Sequence, residues 1–594
     1  MKSKNLLALL GLSALLIISL LYRLTPVLTV SSTGLMSDDA TLMIMARQFY
    51  EGNFYAIIHP FWMPLFPLSA TLLFRIVHDW EFAGVLTSAM SGVLLLIPIY
   101  FIGKSFGGRL TGLLAGFFLI FFFPVVQASR TVFTESLQVF LFWMGVYFYF
   151  KALDNSKIAV ALLSGVFFGL SFLTRSEGLF SIVGLVLFLS FVIIHETVRH
   201  FKISDNFFKT ILFVLSLGYI FVKHPYLGPT AFFELTIFIL FSFFLLIFLT
   251  EKVSIKNKEK KIDLFSLSKV TAIAIFGILI FYLLYNGMLI LKYKKPLFSA
   301  KASAFLSPGG YFSLNSSGTS TWGQDVVAVE TFNPNSEFTT KTIYESAFFK
   351  NNNAVTGALN NMFFLLGRFL YFNPKENIFL FFIGLYLLFF KSKQHLKVKF
   401  LFLMFMPMIF LISIISIDTS ERYLYFAAPI VPVVIAFAIT YFLNFLKQTK
   451  IKIVFLLLSI FLVTYFNWSH LSSRGQSFSL NLDLTEYKIF FTGEKAKAFK
   501  EDTKIVNMLK NKRVMGRHEG FAFYSRSLFV YSPTVKTLDE LVNYAKRWHA
   551  AYIIASQGDI DNNLDFLYSN PRDYPGLKLD LTLDSDTYLY KVLY

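Results

Sequence analysis

Long apolar stretches recur along the whole chain, and they constrain the fold more than any other feature. Most are about 17–25 residues long, which is the length of a helix that crosses the hydrocarbon core of a bilayer. Lipid offers no hydrogen-bond partner to the backbone, so each stretch is expected to be helical. The sequence predicts a mainly α, polytopic membrane helix bundle of about thirteen transmembrane helices, at 6–22, 82–103, 110–127, 133–151, 158–174, 178–195, 209–222, 231–250, 270–291, 377–390, 400–417, 423–446 and 453–467.

The composition agrees with a membrane location. Of 594 residues, 55% are hydrophobic and only 15% are charged, and the mean hydropathy is +0.60. The chain has no cysteine, which excludes disulfides and thiolate chemistry. The net charge of +18 is better explained by cytoplasmic loops than by binding to nucleic acid, which is not an expected partner. No clear cleavage site follows the first stretch, so we expect a retained helix.

The distribution of lysine and arginine predicts which side of the membrane each loop faces. With the N-terminus in the cytoplasm, the cytoplasmic segments carry 22 of these residues and the short opposite loops carry 4. An excess on the cytoplasmic side is the usual bias of membrane proteins. Three segments of this plasma (inner) membrane protein are then extracytoplasmic, a first loop at about 23–81, a long loop at about 292–376 and everything from 468 onward.

The C-terminal region differs in character from the rest of the chain. It is polar, and alternating segments at 527–531 and 551–555 are typical of strands. A helical pattern from Leu538 to Trp548 lies between them. We therefore predict two domains, a transmembrane domain at 1–467 and a small extracytoplasmic α/β domain at 468–594.

Two adjacent carboxylates, Asp38 and Asp39, follow the first apolar stretch. Ionisable groups at the edge of a bilayer are costly, so they indicate function by default. Either could accept a proton from a hydroxyl or amine, or help His59 to hold a metal ion. The alternative is a cap for a helix that begins at Ala40, which Ser37 or Asp38 could provide. A cap needs only one of these residues, so the pattern favours function.

Other ionisable residues lie at the predicted outer ends of later helices. Glu135 is either an acid placed favourably in the helix dipole or a second carboxylate that faces the same cavity. Arg175 and Arg422 lie in outer turns, where each either pairs with a neighbouring glutamate or binds a phosphate. Lys223 is a third cation, for which a structural role is slightly favoured. A lone His59 is more often structural than a ligand, and no compact metal motif is present.

Taken in order along the chain, these motifs resemble the GT-C superfamily of integral-membrane glycosyltransferases. Within it, the chain looks most like the relatives of protein O-mannosyltransferases and aminoarabinose transferases. The order and sidedness of the motifs carry the resemblance, which spans essentially the whole chain. The segments concerned are Ser37–Ala40, His59–Pro67, Thr134–Glu135, Leu170–Gly178, Glu421–Leu424 and Val514–Ser525.

The resemblance implies a glycosyltransferase that moves a sugar, hexose or pentose, from a polyprenyl-phosphate donor to an acceptor, with inversion, on the extracytoplasmic face. The acceptor could be a lipid, a glycan or a protein, and the cofactor is unknown, a divalent metal ion being one candidate. The implied catalytic residues are Asp38, Asp39 and Glu135, of which Asp38 activates the acceptor. The implied substrate-binding residues are Arg422, Arg175, Lys223, His59 and Tyr423.

Two other classes of protein compete with the enzyme. A transporter or flippase of lipid-linked sugars would place charged residues or broken helices near the middle of the membrane. Here the acids lie at outer helix ends, and a polar C-terminal region follows the last span. A scaffold without activity would be expected to have lost part of its acidic and basic set, which is complete here. An enzyme is therefore the favoured interpretation.

Overall fold

The computed structural model covers most of the helical part of the chain and most of the C-terminal region. Every structural statement below refers to the described residues, which are 2–29, 35, 38–59, 62–200, 264–293, 367, 374–415, 421–473, 503–517, 519–533, 535–556, 560, 562–584 and 586–594. Most of the predicted long loop at 292–376 and the predicted spans at 209–222 and 231–250 lie outside them.

The described residues up to Ser473 lie mostly in helices. Within the described part, six are long and apolar enough to cross a bilayer, or seven if a bent pair counts as one span. The chain is thus a multi-pass membrane protein, and the count of thirteen spans stays a prediction. The helices are α1 (Lys2–Thr29), α2 (Asp38–Tyr50), α3 (Leu65–Val77), α4 (Trp80–Leu94), α5 (Leu96–Gly107), α6 (Arg109–Ile120), α7 (Phe123–Arg130), α8 (Thr134–Asn155), α9 (Ile158–Thr174), α10 (Phe180–His200), α11 (Leu264–Tyr293), α12 (Lys375–Lys391), α13 (His395–Ile415), α14 (Ile430–Phe445) and α15 (Thr449–Ser473).

The predicted span at 110–127 is not one straight helix. Helices α6 and α7 meet at an angle of 55°, and the backbone of Phe122 between them is extended. Pro124 stands in the first turn of α7. Proline has no N–H and is tolerated in the first turn of a helix but not in its interior, so the chain breaks just before it.

The predicted loop at 23–81 contains two helices, α2 and α3, joined through a short 3-10 helix at Phe54–Ile57. Every residue of α2 from Ala40 to Ala46 is buried, so this helix packs into the protein on most of its surface. The proline-rich end of His59–Pro67 lies in the predicted loop at 23–81, whereas in the structure α3 begins at Leu65. Prolines fit a helix start because the first N–H groups lack intrahelical partners.

Buried polar bonds fix the segment that leads from the 3-10 helix Glu421–Leu424 into α14. The indole Nε1 of Trp143 on α8 donates a hydrogen bond of 2.8 Å to the carbonyl oxygen of Phe426. The hydroxyl of Tyr425 donates to the Gln127 side chain on α7. Since little competes with such bonds in an apolar core, they hold this segment against α7 and α8.

The C-terminal region contains a five-stranded sheet of order β2-β1-β3-β5-β4. Strand β1 runs parallel to β2 and β3, while β5 is antiparallel to β3 and β4. Strands and a helix occur where the sequence pattern placed them, whereas the boundary of a separate domain stays a prediction. The elements are α16 (Thr503–Leu509), β1 (Arg513–Gly516), α17 (Gly520–Ser525), β2 (Leu528–Tyr531), α18 (Leu538–Arg547), β3 (Tyr552–Ala555), α19 (Phe566–Ser569), β4 (Leu577–Asp584) and β5 (Thr587–Val592).

Helix α17 joins this sheet to the helical part of the protein. The Arg47 guanidinium on α2 donates a hydrogen bond of 2.8 Å to the carbonyl oxygen of Phe523, and its carbon lies 5.0 Å from the centre of the Phe523 ring. The backbone N–H of Leu35 donates to the hydroxyl of Tyr524 at 2.9 Å. The residues before β2 are thereby held against the helix that begins with the paired aspartates.

Candidate active site

An ion pair joins Asp38 to Arg422, two residues that are 384 positions apart in the chain. Asp38 is the first residue of α2, and Arg422 belongs to the 3-10 helix anchored through Trp143. A guanidinium nitrogen of Arg422 lies 3.3 Å from a carboxylate oxygen of Asp38. The side chains are 30% and 46% exposed respectively, so both are accessible to a ligand. The fold thus brings together the predicted base and the predicted phosphate-binding cation.

Asp39 has a different local role from Asp38. Its carboxylate Oδ1 accepts a hydrogen bond of 2.9 Å from the N–H of Ala40, in the first turn of α2. The first N–H groups of a helix lack intrahelical partners, so a carboxylate there stabilises the helix start. Asp39 therefore serves the helix end, while the neighbouring carboxylate of Asp38 pairs with Arg422.

A second cluster contains Glu135, Arg175 and Glu177. One guanidinium nitrogen of Arg175 lies 2.5 Å from Glu135, and the other lies 2.8 Å from Glu177. The side chains of Arg175 and Glu135 are only 8% and 4% exposed. Two carboxylates thus share the fork of Arg175, and a phosphate would have to compete with both. The proposed roles of Arg175 and Glu135 in substrate binding and catalysis stay predictions.

His59 is buried and connects the first loop to α11. Its Nδ1 accepts a hydrogen bond of 3.1 Å from the N–H of Trp62, and its carbonyl oxygen accepts one of 2.5 Å from the Tyr285 hydroxyl. Burial, and to a lesser extent the charge of Lys292, lowers the pKa of His59 well below its ordinary value. The imidazole is therefore neutral, and these contacts order the loop. Substrate binding by His59 stays a prediction.

Two predicted binding residues cannot be placed at the site. Lys223 lies outside the described residues, as does the side chain of Tyr423, although its backbone belongs to the 3-10 helix that carries Arg422. Among the residues that the structure describes, no group of three or more histidine, aspartate or glutamate side chains could hold a metal ion. A metal role for Asp38 and His59 stays a prediction.

The structure adds two residues that the motif analysis did not single out, Glu519 and Tyr531. Glu519 follows the carboxyl end of β1, Tyr531 ends the neighbouring strand β2, and the Tyr531 hydroxyl donates a hydrogen bond to the Glu519 carboxylate. Burial, with smaller contributions from the charges of Asp38 and Asp39, raises the pKa of Glu519 to about 8. Glu519 is the residue before α17, and Phe523 of α17 accepts the hydrogen bond from Arg47 on the helix that carries the paired aspartates.

A signal for Glu519 was present in the sequence. Polar residues that follow the carboxyl ends of parallel strands commonly form sites, and Glu519 stands in such a position after β1. The predicted strands at 527–531 and 551–555 were correctly located. Strand β1 was not among the predicted strands, so the place of Glu519 after a strand end could not be predicted.

Comparison with known proteins gives one family match. The family model for dolichyl-phosphate-mannose-protein mannosyltransferases matches residues 58–223. This segment contains Glu135 and Arg175 but neither Asp38 nor Arg422. No curated protein sequence matches the chain significantly.

Solved structures of two membrane proteins are similar to the chain at low identity. The oligosaccharyltransferase AglB from Archaeoglobus fulgidus, in complex with an inhibitory peptide and a dolichol-phosphate, has a TM-score of 0.47 and 12% identity over 93% of this chain and 70% of its own. ArnT from Cupriavidus metallidurans, bound to undecaprenyl phosphate, has a TM-score of 0.48 and 10% identity over 99% of this chain and 98% of its own. These values are too low to establish a shared fold.

The family model, which matches residues 58–223, agrees with the class that the ordered motifs indicated, the GT-C superfamily of membrane glycosyltransferases. Within that class, the chain is similar to the protein O-mannosyltransferase and aminoarabinose transferase relatives, and the matched segment lies in the helical part of the protein.

Proposed function

We propose that the protein transfers a sugar from a polyprenyl-phosphate donor to an acceptor at the extracytoplasmic face of the plasma membrane. The sugar is a hexose or pentose, and the acceptor is a hydroxyl or amine on a lipid, a glycan or a protein. The excess of basic residues in the predicted cytoplasmic segments supports this sidedness. The C-terminal region, which packs against α2 through Arg47, then lies on the same side as the site.

The ion pair between Asp38 and Arg422 is the observation that carries the proposal. Glycosyl transfer from a lipid phosphate needs a base for the acceptor and a cation for the leaving phosphate, at neighbouring positions. The chain supplies one of each, 3.3 Å apart and both partly exposed. An arginine fork is well suited to phosphate oxygens, which can replace the carboxylate as its partner.

The transfer then follows from this exchange of partners. The donor phosphate binds Arg422 and releases the carboxylate of Asp38, which accepts the proton of the acceptor hydroxyl or amine. The acceptor atom attacks the anomeric carbon, a new bond forms there with inversion, and the bond from that carbon to the phosphate oxygen breaks. The bonding electron pair leaves with the lipid phosphate, whose added negative charge Arg422 stabilises.

Substitution of Asp38 tests the proposal. Asp38→Asn keeps the size of the side chain and its ability to cap α2 but removes its basicity, so we expect turnover to fall about 10²-fold or more while the protein folds normally. Turnover is measured with purified protein in lipid discs and a radiolabelled polyprenyl-phosphate sugar.

Asp79→Asn is the matched control for the Asp38 variant. Asp79 is an exposed aspartate that caps α4 by accepting a hydrogen bond of 2.7 Å from the N–H of Phe82. Its substitution makes the same chemical change in an aspartate at the start of another helix, away from the site, so turnover should stay close to that of the unmodified protein. Near-normal turnover in Asp38→Asn would reduce Asp38 to a structural residue and overturn the mechanism.

A further inference from the structure

Glu519 is a buried acid that the mechanism above does not use. Only 2% of the residue is exposed, and its carboxylate Oε2 has no hydrogen-bond partner among the described residues. The other oxygen accepts the hydrogen bond from Tyr531. A buried carboxyl group with one unsatisfied oxygen is costly, so a purely structural role does not explain it.

The position of Glu519 relates it to the paired aspartates. It is the residue before α17, and α17 is held to α2 by the bond from Arg47 to Phe523 and to Leu35, which precedes α2, by the bond from Leu35 to Tyr524. The side chains that affect the pKa of Glu519 are Tyr531 from β2 and, more weakly, Asp38 and Asp39 from α2. Glu519 therefore stands where the C-terminal region meets the helix that carries the paired aspartates.

We propose that Glu519 is a positioning residue of the active site, which the C-terminal region holds as a neutral acid beside Asp38 and Asp39 so that the donor's phosphate can approach Arg422. The proposal rests on the proposed function. An ionised Glu519 would add a third negative charge next to the two aspartates. That charge repels an incoming phosphate and competes for the guanidinium of Arg422.

The sign of the pH dependence follows from the state of Glu519. Burial raises its pKa to about 8, so the group is neutral below that pH and ionised above it. Donor use should therefore fall as the pH rises through this value. For a single titrating group, kcat/KM for the donor should drop about tenfold between pH 7 and pH 9, mainly through KM.

Two substitutions separate positioning from a structural role. Glu519→Gln mimics the neutral acid at every pH, so the alkaline fall in kcat/KM should disappear. The Tyr531 hydrogen bond stabilises the ionised form of Glu519 and lowers its pKa. Tyr531→Phe should therefore raise that pKa and move the fall to higher pH. Glu540→Gln, which alters an exposed acid in the capping box of α18, is the matched control and should leave the profile unchanged.

A measurement without substrate keeps this inference separate from the proposed function. Infrared difference spectra should show the C=O stretch of a protonated carboxyl group that Glu519→Gln removes. Because the charge of Asp38 raises the pKa of Glu519, the Asp38→Asn variant should titrate this band at lower pH. If no sugar is transferred, the proposed function fails while the titration still reports the coupling. The inference would be overturned if the band titrated at the same pH in the Asp38→Asn variant. It would also be overturned if the alkaline fall in kcat/KM persisted in Glu519→Gln.

Discussion

The paired aspartates have different contacts because of where α2 begins. Asp39 lies within the first turn and accepts the N–H of Ala40, whereas Asp38, at the very start, reaches Arg422. The sequence predicted that Ser37 or Asp38 could cap a helix beginning at Ala40, whereas α2 begins at Asp38 and it is Asp39 that accepts this N–H. Local pattern cannot reveal a partner 384 positions away, so only the shared side of the membrane was predictable for Asp38 and Arg422.

Substitution of Arg422 distinguishes a phosphate-binding residue from a plain ion pair. Arg422→Lys keeps the charge but offers a point charge in place of a planar fork. We expect KM for the lipid-phosphate donor to rise about tenfold, the loss of one charge-assisted hydrogen bond, with little change in KM for the acceptor. Arg422→Ala should be worse, and steady-state kinetics with each substrate varied in turn measure both.

The matched control for the Arg422 variants is Glu421→Ala. Glu421 belongs to the same 3-10 helix and is its adjacent residue, so this variant reports on any disturbance of the local backbone. Its effect on donor use should be mild. Equally mild effects of Arg422→Ala and Glu421→Ala would show that the Arg422 pair is structural and direct attention to Arg175 or Lys223.

The contacts of Arg175 show which partners a local sequence pattern can predict and which it cannot. The sequence left two roles open, pairing with the nearby Glu177 or binding a phosphate, and the structure contains the pair. It also places Glu135 on the same guanidinium, 40 positions away, because α8 and α9 pack side by side. Removing one partner from a buried guanidinium of this kind destabilises a protein by about 3–5 kcal/mol.

At the scale of elements, periodicity and length predicted the helices better than their interruptions. The predicted span at 158–174 coincides with α9. The predicted span at 133–151 begins one residue before α8 does. The start of α3 and the break before α7 were missed, since proline indicates both a loop and the first turn of a helix. Which of the two forms depends on tertiary packing, which one sequence does not display.

A close approach of α9 and α11 requires glycine at their crossing. A Cβ atom at Gly165 would overlap the carbonyl oxygen of Ala274 and lie 2.9 Å from the Cα of Gly277. Because backbone cannot yield as a side chain can, Gly165→Ala should push the helices apart and destabilise the protein by about 1–3 kcal/mol. Thermal unfolding in detergent, followed by circular dichroism, measures this loss.

Gly287→Ala on α11 is the control for the glycine at the crossing. A Cβ atom there meets nothing within 4 Å. Like Gly165→Ala, the substitution adds one methyl group and raises helix propensity. The midpoint of thermal unfolding should therefore equal or slightly exceed that of the unmodified protein. Equal unfolding midpoints for the two variants would mean that the contact between α9 and α11 does not limit stability.

At the scale of the whole molecule, sequence sets the class of protein but not the assembly of its site. Bilayer-length apolar stretches were enough to predict a multi-pass helical protein, and the described residues contain six or seven such helices. Contacts between the C-terminal region and α2, such as Arg47 to Phe523, depend on how distant segments pack. The periodicity of either segment does not predict these contacts.

The predicted sidedness can be tested by labelling, because the chain has no native cysteine. Lys578→Cys is exposed on β4, and Asn155→Cys is exposed at the end of α8, on the side predicted to be cytoplasmic. An impermeant thiol reagent should label position 578 in intact cells and position 155 only after permeabilisation. The reverse order of labelling would place the site on the cytoplasmic side.

The large separation in sequence between Asp38 and Arg422 also has a consequence for biogenesis. The ribosome makes Asp38 early and Arg422 only 384 residues later, an interval of roughly 20–80 s at ordinary rates of translation. Glu519 is made later still. A nascent chain that has already inserted its first helices therefore lacks part of the proposed site, and we expect a fragment that ends before Arg422 to have no transferase activity.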